Sequence, residues 1–356
     1  VDGDPLPGER FAEVYREIEP YLNLVDAKAA ADAAPGLTFF EVLVALAYAA
    51  FADAPVDVAA VEVGMGGSWD ATSVVDAEVA VLTPISLDHQ HFLGDDLSSV
   101  AREKAGIIRP GRVAVLGRQP EQVVPVLRDR LAEVGATAVR DGEEFGVLRR
   151  DVAVGGQLLT LQGLNAVYED VFLPLHGVHQ AHNAACALAA VETLLAGGAG
   201  LDGHVVEAAF AGMDSPGRME LLRRSPALLA DAAHNPAGAA ALADAVEESF
   251  NFDPLVGVIG VLTDKDALGI LVALDGLLDS VVITRSSSPR SMDVDDLAAI
   301  AVDVFGEDRV EVVERLDDAI DVAVTRAESD GKLTGGVLLT GSITLVADAR
   351  VLLGRA

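Results

Sequence analysis

One carboxylate, Glu62, stands directly before a glycine-rich turn, in the run VEVGMGGSWDAT at residues 61–72. The apolar residues 56–63 predict a strand, which places Glu62 at the strand's carboxyl end. Glycines at such a position let a ligand approach the backbone, and a carboxylate there suits a divalent cation or a phosphate-bearing ligand. A tight structural turn beside a solvent-facing glutamate explains the pattern equally well.

A second pair of polar side chains follows the next predicted strand, residues 78–83. The loop PISLDHQHFLG at residues 84–94 places Asp88 and His89 after that strand. Because neighbouring parallel strands end at one edge of a sheet, we expect both side chains near Glu62. A carboxylate and an imidazole together are suitable ligands for Mg²⁺ or Mn²⁺. A hydrogen-bonded surface histidine is the simpler alternative.

Lys104 lies in the helical pattern REKAGII at residues 102–108 and is one of only four lysines in the chain. Lysine, unlike arginine, can lose its charge on burial and can be modified. The simpler interpretation is an ordinary lysine on a helix surface, paired with Glu103 or Asp96. The sequence alone favours this simpler interpretation.

The second half of the chain carries a further motif, LLADAAHNP at residues 228–236. It predicts Asp231 at a strand end, His234 in the following turn and Pro236 in the first turn of a helix. Because helix N-termini favour anions, the motif indicates a nucleotide or carboxylate site. A helix capped by Asn235 is the structural alternative.

The elements that must position these residues alternate between runs rich in Val, Ile and Leu and Ala-rich helical patterns. This alternation predicts an α/β fold with a mostly parallel sheet. Short β-like runs between residues 144 and 175 predict a small antiparallel sheet. The helix-breaking sequence SPG separates a predicted first domain, residues 1–214, from a smaller Rossmann-like domain, residues 215–356. A length of 356 residues fits two domains of roughly 100–200 residues.

Composition excludes several classes of partner. The chain has 56 acidic and 25 basic residues, a net charge of -31, which repels nucleic acid and anionic lipid. Its longest apolar run is well short of the ~18 residues that cross a bilayer. The single Cys186 excludes an internal disulfide and is compatible with a reducing compartment. We therefore expect a cytoplasmic monomer that acts on small molecules.

Taken together, the motifs resemble the folylpolyglutamate synthase and dihydrofolate synthase family of the Mur ligase superfamily, in its actinobacterial branch. In chain order they are EVGMGG with WDAT, LDH, REKAGI, HNAACALAA, SPGR, DAAHNP, TDKD and TGS. The resemblance implies a Mur-ligase-like central domain and a C-terminal glutamate-ligase domain. It also implies that ATP phosphorylates a carboxyl group of dihydropteroate or a reduced folate, and that the amine of L-glutamate then attacks the acyl phosphate.

The resemblance further implies a role for each matched residue. The implied Mg²⁺ ligands, for two ions, are Glu62, His89 and a carbamylated Lys104. The implied ATP contacts are Asn183, Arg218, Asp231 and His234. The segments implied to hold the pterin are Thr38, Phe39, Phe40 and Glu41, and Trp69, Asp70 and Ala71. The residues implied to hold the incoming glutamate are Lys265 and Ser342.

The chain departs from the family pattern in three places. It has Ser68 where the family usually carries Arg, and Ser73 where the family carries Asn. It also has no glycine-rich phosphate loop with its Lys and Ser, which the resemblance places before residue 1. We therefore expect a chain that lacks its first βα elements and does not catalyse ligation as given.

Two other functions remain as alternatives to the ligase. The first is a non-catalytic relic or folate-binding module of the same fold. The second is a nicotinamide oxidoreductase, which a Rossmann-type pattern alone would suggest. The second is disfavoured because the sequence has no G-x-G-x-x-G fingerprint with a downstream ribose-binding acid.

Overall fold

A computed structural model describes residues 1–88, 93–195, 199–329 and 334–355. The helices are α1 (Gly8–Ala31), α2 (Phe39–Asp53), α3 (Leu97–Ala105), α4 (Val124–Val134), α5 (Val178–Leu195), α6 (Gly203–Ala211), α7 (Pro236–Ser249), α8 (Ala267–Leu274), α9 (Val294–Phe305), α10 (Leu316–Ala327) and α11 (Ile343–Leu352). The strands are β1 (Val79–Leu82), β2 (Val113–Leu116), β3 (Thr137–Arg140), β4 (Gly146–Ala153), β5 (Gly156–Gln162), β6 (Val167–Leu173), β7 (Glu220–Arg224), β8 (Ala227–Ala230), β9 (Leu255–Ile259), β10 (Ser280–Ile283), β11 (Val310–Val312) and β12 (Gly336–Thr340).

The first sheet consists of three short parallel strands in the order β1-β2-β3. Alternate residues of β2 point to opposite faces, as the strand pleat requires. Ala114 and Leu116 pack against α3 and α4, whereas Val115 packs against α5. Because the three strands run the same way, the loops that follow them meet at one edge of the sheet.

Residues 56–63 do not form the predicted strand. They have no regular structure, and most of them are exposed. Their Val-rich pattern satisfies local strand propensity, but a strand also needs backbone partners on a neighbouring chain segment. In the described structure β1 is hydrogen-bonded to β2, and residues 56–63 join no sheet. Glu62 consequently precedes the glycine-rich turn without ending a strand.

The predicted small antiparallel sheet is confirmed. Strands β4, β5 and β6 form a three-stranded antiparallel sheet. Leu159, Leu161 and Leu173 from this sheet are fully buried against the alanine-rich face of α5. The small side chains of α5 let this helix pack between two sheets, because its other side contacts β1 and β2.

The second half of the chain forms a six-stranded sheet in the order β11-β10-β9-β12-β8-β7. All neighbouring strands are parallel except β7, which pairs antiparallel with β8. Helices α7, α8 and α9 bury one face of the sheet, and α10 and α11 bury the other. This Rossmann-like arrangement confirms the predicted α/β class. Residues 215–217, the predicted domain boundary, lie between α6 and β7.

No helix among the described residues is both long enough and apolar enough to span a lipid bilayer.

Candidate functional site

Three polar side chains from the second half of the chain meet Asp88, in the loop after β1. Lys265 Nζ lies 2.7 Å from Asp88 Oδ1. Asn235 Nδ2 lies 3.1 Å and His234 Nε2 3.4 Å from Asp88 Oδ2. We call Asp88, His234, Asn235 and Lys265 the Asp88 cluster. Its members follow β1, β8 and β9, so the carboxyl edges of the two parallel sheets face each other here.

The Asp88 carboxylate is ionised and half-buried. Burial acts to raise its pKa, but hydrogen bonds from His234, Lys265 and Asn235 together outweigh burial and hold the pKa of Asp88 far below its usual range. The Lys265 side chain is only 6% exposed. A lysine ammonium withdrawn this far from water needs a fixed negative charge nearby, and Asp88 provides one.

The turn after β8 is built by hydrogen bonds that begin α7. Asn235 Oδ1 accepts from the Gly238 amide at 2.8 Å, and Pro236 follows at the first helical position. This is the cap given above as the structural alternative, and it leaves Asn235 Nδ2 to donate to Asp88. His234 Nδ1 lies 2.9 Å from the Ala232 carbonyl oxygen. Both ring nitrogens of His234 therefore face oxygen atoms, which fixes the orientation of the ring.

Asp231 is buried at the end of β8. Its two oxygens accept from the backbone amides of Ala233 at 2.8 Å and Met219 at 2.9 Å. Burial raises the pKa of Asp231 in spite of these bonds. The side chain thereby ties the turn after β8 to the residue that follows Arg218. Burial lowers the pKa of His179 on α5, and the positive charge of Arg218 lowers it further. Arg218 therefore lies close to α5.

Of the residues expected to contact ATP, Arg218, Asp231 and His234 form one neighbourhood in the second half of the chain. Asn183 lies on α5, and its Nδ2 donates to Gln180 Oε1 at 3.3 Å. The four residues therefore come from α5 and from the segments beside β8. Their contacts with a nucleotide stay a prediction.

The glycine-rich turn rests on the carboxyl end of α3. The Ser68 amide donates to the Glu103 carbonyl oxygen at 3.1 Å. A Cβ atom at Gly67 would lie 2.6 Å from that oxygen and 3.0 Å from the Lys104 carbonyl oxygen. Only glycine permits this close approach. The turn is therefore fixed against the helix that carries Lys104.

The two segments expected to hold the pterin meet at this turn. The ring of Phe40 lies against Gly64, and the ring of Trp69 lies against Gly66. Trp69 is 55% exposed. Asp70, by contrast, is buried, and it accepts from the Met65 amide and from the amide and hydroxyl of Thr72. Asp70 thus shapes the turn, and exposed aromatic surface remains beside it.

Thr38 and Glu41 form a capping box at the start of α2. The Thr38 amide and hydroxyl both donate to Glu41 Oε2 at 2.7 Å, and the Glu41 amide donates to Thr38 Oγ1. The backbone bond from Thr38 is the largest cause that lowers the pKa of Glu41. These side chains hold the helix start, and they leave Phe39 79% exposed.

The predicted metal ligands are only partly placed. Glu62 is exposed, Lys104 on α3 is half-buried, and His89 lies outside the described residues. Within the described ranges, no three His, Cys, Asp or Glu side chains are grouped so that they could hold a metal ion. The convergence of Glu62 and His89 on one ion stays a prediction.

Ser342, expected to hold glutamate, is fully buried and caps α11. Its hydroxyl accepts from the Leu345 amide at 3.2 Å. The ion pair between Asp88 and Lys265 was not predicted, since the sequence indicated Asp88 as a metal ligand. The partners are 177 residues apart, and no local spacing could have linked them.

Comparison with known proteins places these observations in a family. The Mur ligase middle domain model matches residues 27–191, and the Mur ligase glutamate ligase domain model matches residues 217–343. The whole chain is 52% identical to a dihydrofolate synthase/folylpolyglutamate synthase of Mycobacterium tuberculosis and covers 77% of its length. The chain belongs to the folylpolyglutamate synthase/dihydrofolate synthase family.

Solved structures of family members agree. A Mycobacterium tuberculosis folylpolyglutamate synthase complexed with ADP and AMPPCP is 52% identical, with a TM-score of 0.95 over 100% of this chain and 81% of that one. The Escherichia coli family member in complex with DHPP and ADP is 31% identical, with a TM-score of 0.82 over 99% of this chain and 78% of that one.

A probable bifunctional folylpolyglutamate synthase/dihydropteroate synthase of Halobacterium salinarum is 34% identical over 98% of this chain, which spans 41% of that relative's length. The predicted resemblance is confirmed. The comparisons give no support to the expectation that the chain is inactive.

Proposed function

We propose that this chain is an ATP-dependent ligase that adds L-glutamate to dihydropteroate, to reduced folates, or to both. The observation that carries the proposal is 52% identity along the whole chain to a protein described as a dihydrofolate synthase/folylpolyglutamate synthase. The ligands in the solved relatives, namely ADP, AMPPCP and DHPP, are of the chemical classes that such a ligase uses.

The proposed reaction has two steps. An oxygen of the acceptor carboxylate attacks the γ-phosphorus of ATP, the bond to the β-phosphate oxygen breaks, and ADP leaves. The amine of glutamate, having given up a proton, then attacks the acyl phosphate carbon through a tetrahedral intermediate. Collapse of this intermediate releases phosphate and leaves an amide.

The first role of the protein is to gather anions. ATP, the acceptor carboxylate and glutamate are all negatively charged, and the chain has a net charge of -31. Positively charged side chains in the site must therefore offset the negative electrostatic potential of the protein as a whole. Arg218 and Lys265 lie at the junction where the two sheets face each other, and we assign them to nucleotide and glutamate, respectively. Asp88 keeps the Lys265 ammonium in place.

The second role is to orient the acceptor. The rings of Phe40 and Trp69 lie on the glycine-rich turn, and both have exposed surface. Flat heteroaromatic rings such as pterins stack on aromatic side chains. We assign this aromatic pair to the pterin end, with the acceptor carboxylate directed toward Lys104 and Glu62.

The residues at this end of the site fit Mg²⁺ by the chemistry of their donors. Mg²⁺ takes hard oxygen ligands and commonly binds through one or two protein carboxylates while it keeps several waters. Glu62 is an exposed carboxylate, and a carbamylated Lys104 would add a second. When bound, the ion would neutralise phosphate charge. His89 is the third proposed ligand.

The test is an assay of purified protein with labelled glutamate, Mg²⁺ and ATP, and with dihydropteroate or a reduced folate as acceptor. The proposal expects ADP and a glutamylated product in equal amounts with at least one acceptor. A Glu62→Gln variant should lose turnover while its unfolding curve is unchanged. Binding of a folate without ADP formation would instead support a non-catalytic folate-binding module.

A further inference from the structure

A cavity of about 580 Å³ lies between α3 and α4, a volume typical of small-molecule sites. Ser68 of the glycine-rich turn forms one wall. Three of the lining side chains are arginines, namely Arg102, Arg109 and Arg130. The members of the Asp88 cluster are not among the described residues that line this cavity.

Two of these arginines form no ion pair within the described part of the chain. Arg102 donates to the Ser99 hydroxyl at 3.4 Å, and Arg109 donates to the backbone carbonyls of Ser73 and Val75. Asp96 is a carboxylate near Arg102: hydrogen bonds from Ser99 lower its pKa, and the charge of Arg102 contributes further. The chain has 56 acidic residues for 25 basic ones. Two arginines without an ion pair in one cavity make a local positive site in a negative protein.

The other charged groups of the lining keep this positive character. Arg130 donates to Glu133 at 2.9 Å and to the Ile108 carbonyl at 3.2 Å, and its Nε is buried without an acceptor. The side chain of Glu133 is 67% exposed and that of Asp129 is 74% exposed, and Asp129 also pairs with Arg128. Both acidic side chains are therefore largely solvated, and Arg102 is exposed as well.

We propose that this cavity binds a small polyanion, that is, a molecule with at least two carboxylate or phosphate groups. Guanidinium groups bind both kinds of oxyanion through paired hydrogen bonds. Arg102 and Arg109 supply the charge, and Ser68, whose hydroxyl donates to the Glu103 carbonyl oxygen at 3.3 Å, forms a neutral wall beside them. The lining is otherwise mostly polar, with Val126 and Ala105 as its small apolar part.

The proposed site lies on the side of α3 that faces away from Lys104. Arg102 and Gly106 face the cavity, and Lys104 follows Arg102 by two residues, roughly 200° around the helix. The Ser68 amide is bonded to the Glu103 carbonyl, so the glycine-rich turn and the end of α3 form one unit. A polyanion bound to Arg102, next to Ser68, would contact this unit from the side opposite Lys104.

The test is calorimetric titration of the purified chain in metal-free buffer with two probes, citrate and pyrophosphate. The proposal expects saturable binding of one probe per chain for at least one of them. Arg102→Gln removes a charge-assisted hydrogen bond to the probe, and Val126→Glu adds a negative charge that repels it. Each substitution should weaken the binding about tenfold or more. Citrate binding alone would identify carboxylate ligands, and pyrophosphate binding alone would identify phosphate ligands.

Matched control variants distinguish binding of the probe in the cavity from general electrostatic attraction to the protein. Arg285→Gln changes the net charge as Arg102→Gln does, on an exposed side chain that pairs with Glu314 outside the cavity. Val124→Glu is the corresponding control for Val126→Glu, because Val124 is 51% exposed on the same helix. Both controls should bind the probe as the unmodified chain does. The proposal is overturned if neither probe saturates, or if the controls weaken binding as much as the cavity variants.

Discussion

The ammonium group of Lys265 lies 2.7 Å from the carboxylate of Asp88, although 177 residues separate them. The pair joins the loop after β1 to the turn after β9. His234 and Asn235 approach the same carboxylate from the turn after β8. One carboxylate thus sets the relative position of three loops, two of which carry residues that we assign to ATP and glutamate.

Asp88→Asn should destabilise the chain by about 1–3 kcal/mol, because Lys265 would stay largely buried with less negative charge beside it. Urea unfolding measures the change. Asp264→Asn is the matched control, since Asp264 belongs to an exposed ion pair with Arg290 and such pairs contribute about 0–1 kcal/mol. Equal effects of the two substitutions would contradict a structural role for the Asp88 ion pair.

The contribution of Asp88 should depend on pH in one direction. Its folded-state pKa is lowered by hydrogen bonds from His234, Lys265 and Asn235, which outweigh the opposing effect of burial. An acid with a lowered pKa stabilises the fold above its unfolded pKa, about 3.9, and loses this contribution as the pH falls further. The stability difference between the unmodified chain and Asp88→Asn should therefore be constant above about pH 5 and shrink below about pH 4. A difference that grows on acidification would contradict this assignment.

The sequence predicted those elements that are specified by residues within them or next to them. The strand predicted at residues 78–83 is β1, Val79–Leu82, and the small antiparallel sheet follows from short apolar runs between residues 144 and 175. The cap of α7 by Asn235 was likewise readable from the Asn-Pro pair. Each of these signals lies within a few residues of the structure that it specifies.

The sequence did not predict features that depend on distant or weak signals. Helix α1 has Pro20 in its interior and buries only Val14, so its apolar stripe is slight. Residues 56–63 look like a strand, but a strand also depends on a partner. The contacts of Asp88 depend on how two sheets face each other, and no spacing in the sequence encodes that geometry.

Gly67→Ala should destabilise the glycine-rich turn. The added Cβ would lie 2.6 Å from the Glu103 carbonyl oxygen, and overpacking of this kind typically costs about 1–3 kcal/mol. Gly203→Ala is the control, because a Cβ there meets nothing within 4 Å at the start of α6. Thermal unfolding of both variants tests the prediction, and a neutral Gly67→Ala would show that the turn can move away from α3.

Cys186 should be unreactive in the native chain. It is 2% exposed, and burial, with a smaller contribution from the nearby Asp141 charge, raises its pKa to about 12. Because the thiolate is the nucleophile, reaction with a thiol reagent at pH 8 should be far slower than in urea-unfolded protein. Labelling in native buffer at the unfolded rate would mean that α5 opens readily.

The net charge of -31 should make the stability of the chain depend on salt. With 56 acidic and 25 basic residues, most carboxylates cannot be paired one to one, and their mutual repulsion opposes the compact state. Raising KCl from 0.1 to 1 M shortens the screening length from about 10 to about 3 Å, which weakens this repulsion between exposed charges. Exposed ion pairs such as that of Arg128 and Asp129 weaken as well, but each contributes little. The melting temperature should therefore rise with KCl, and choline chloride at the same ionic strength should give a similar rise if screening is the cause. A melting temperature that falls with salt would mean that ion pairs outweigh the excess of acidic charge.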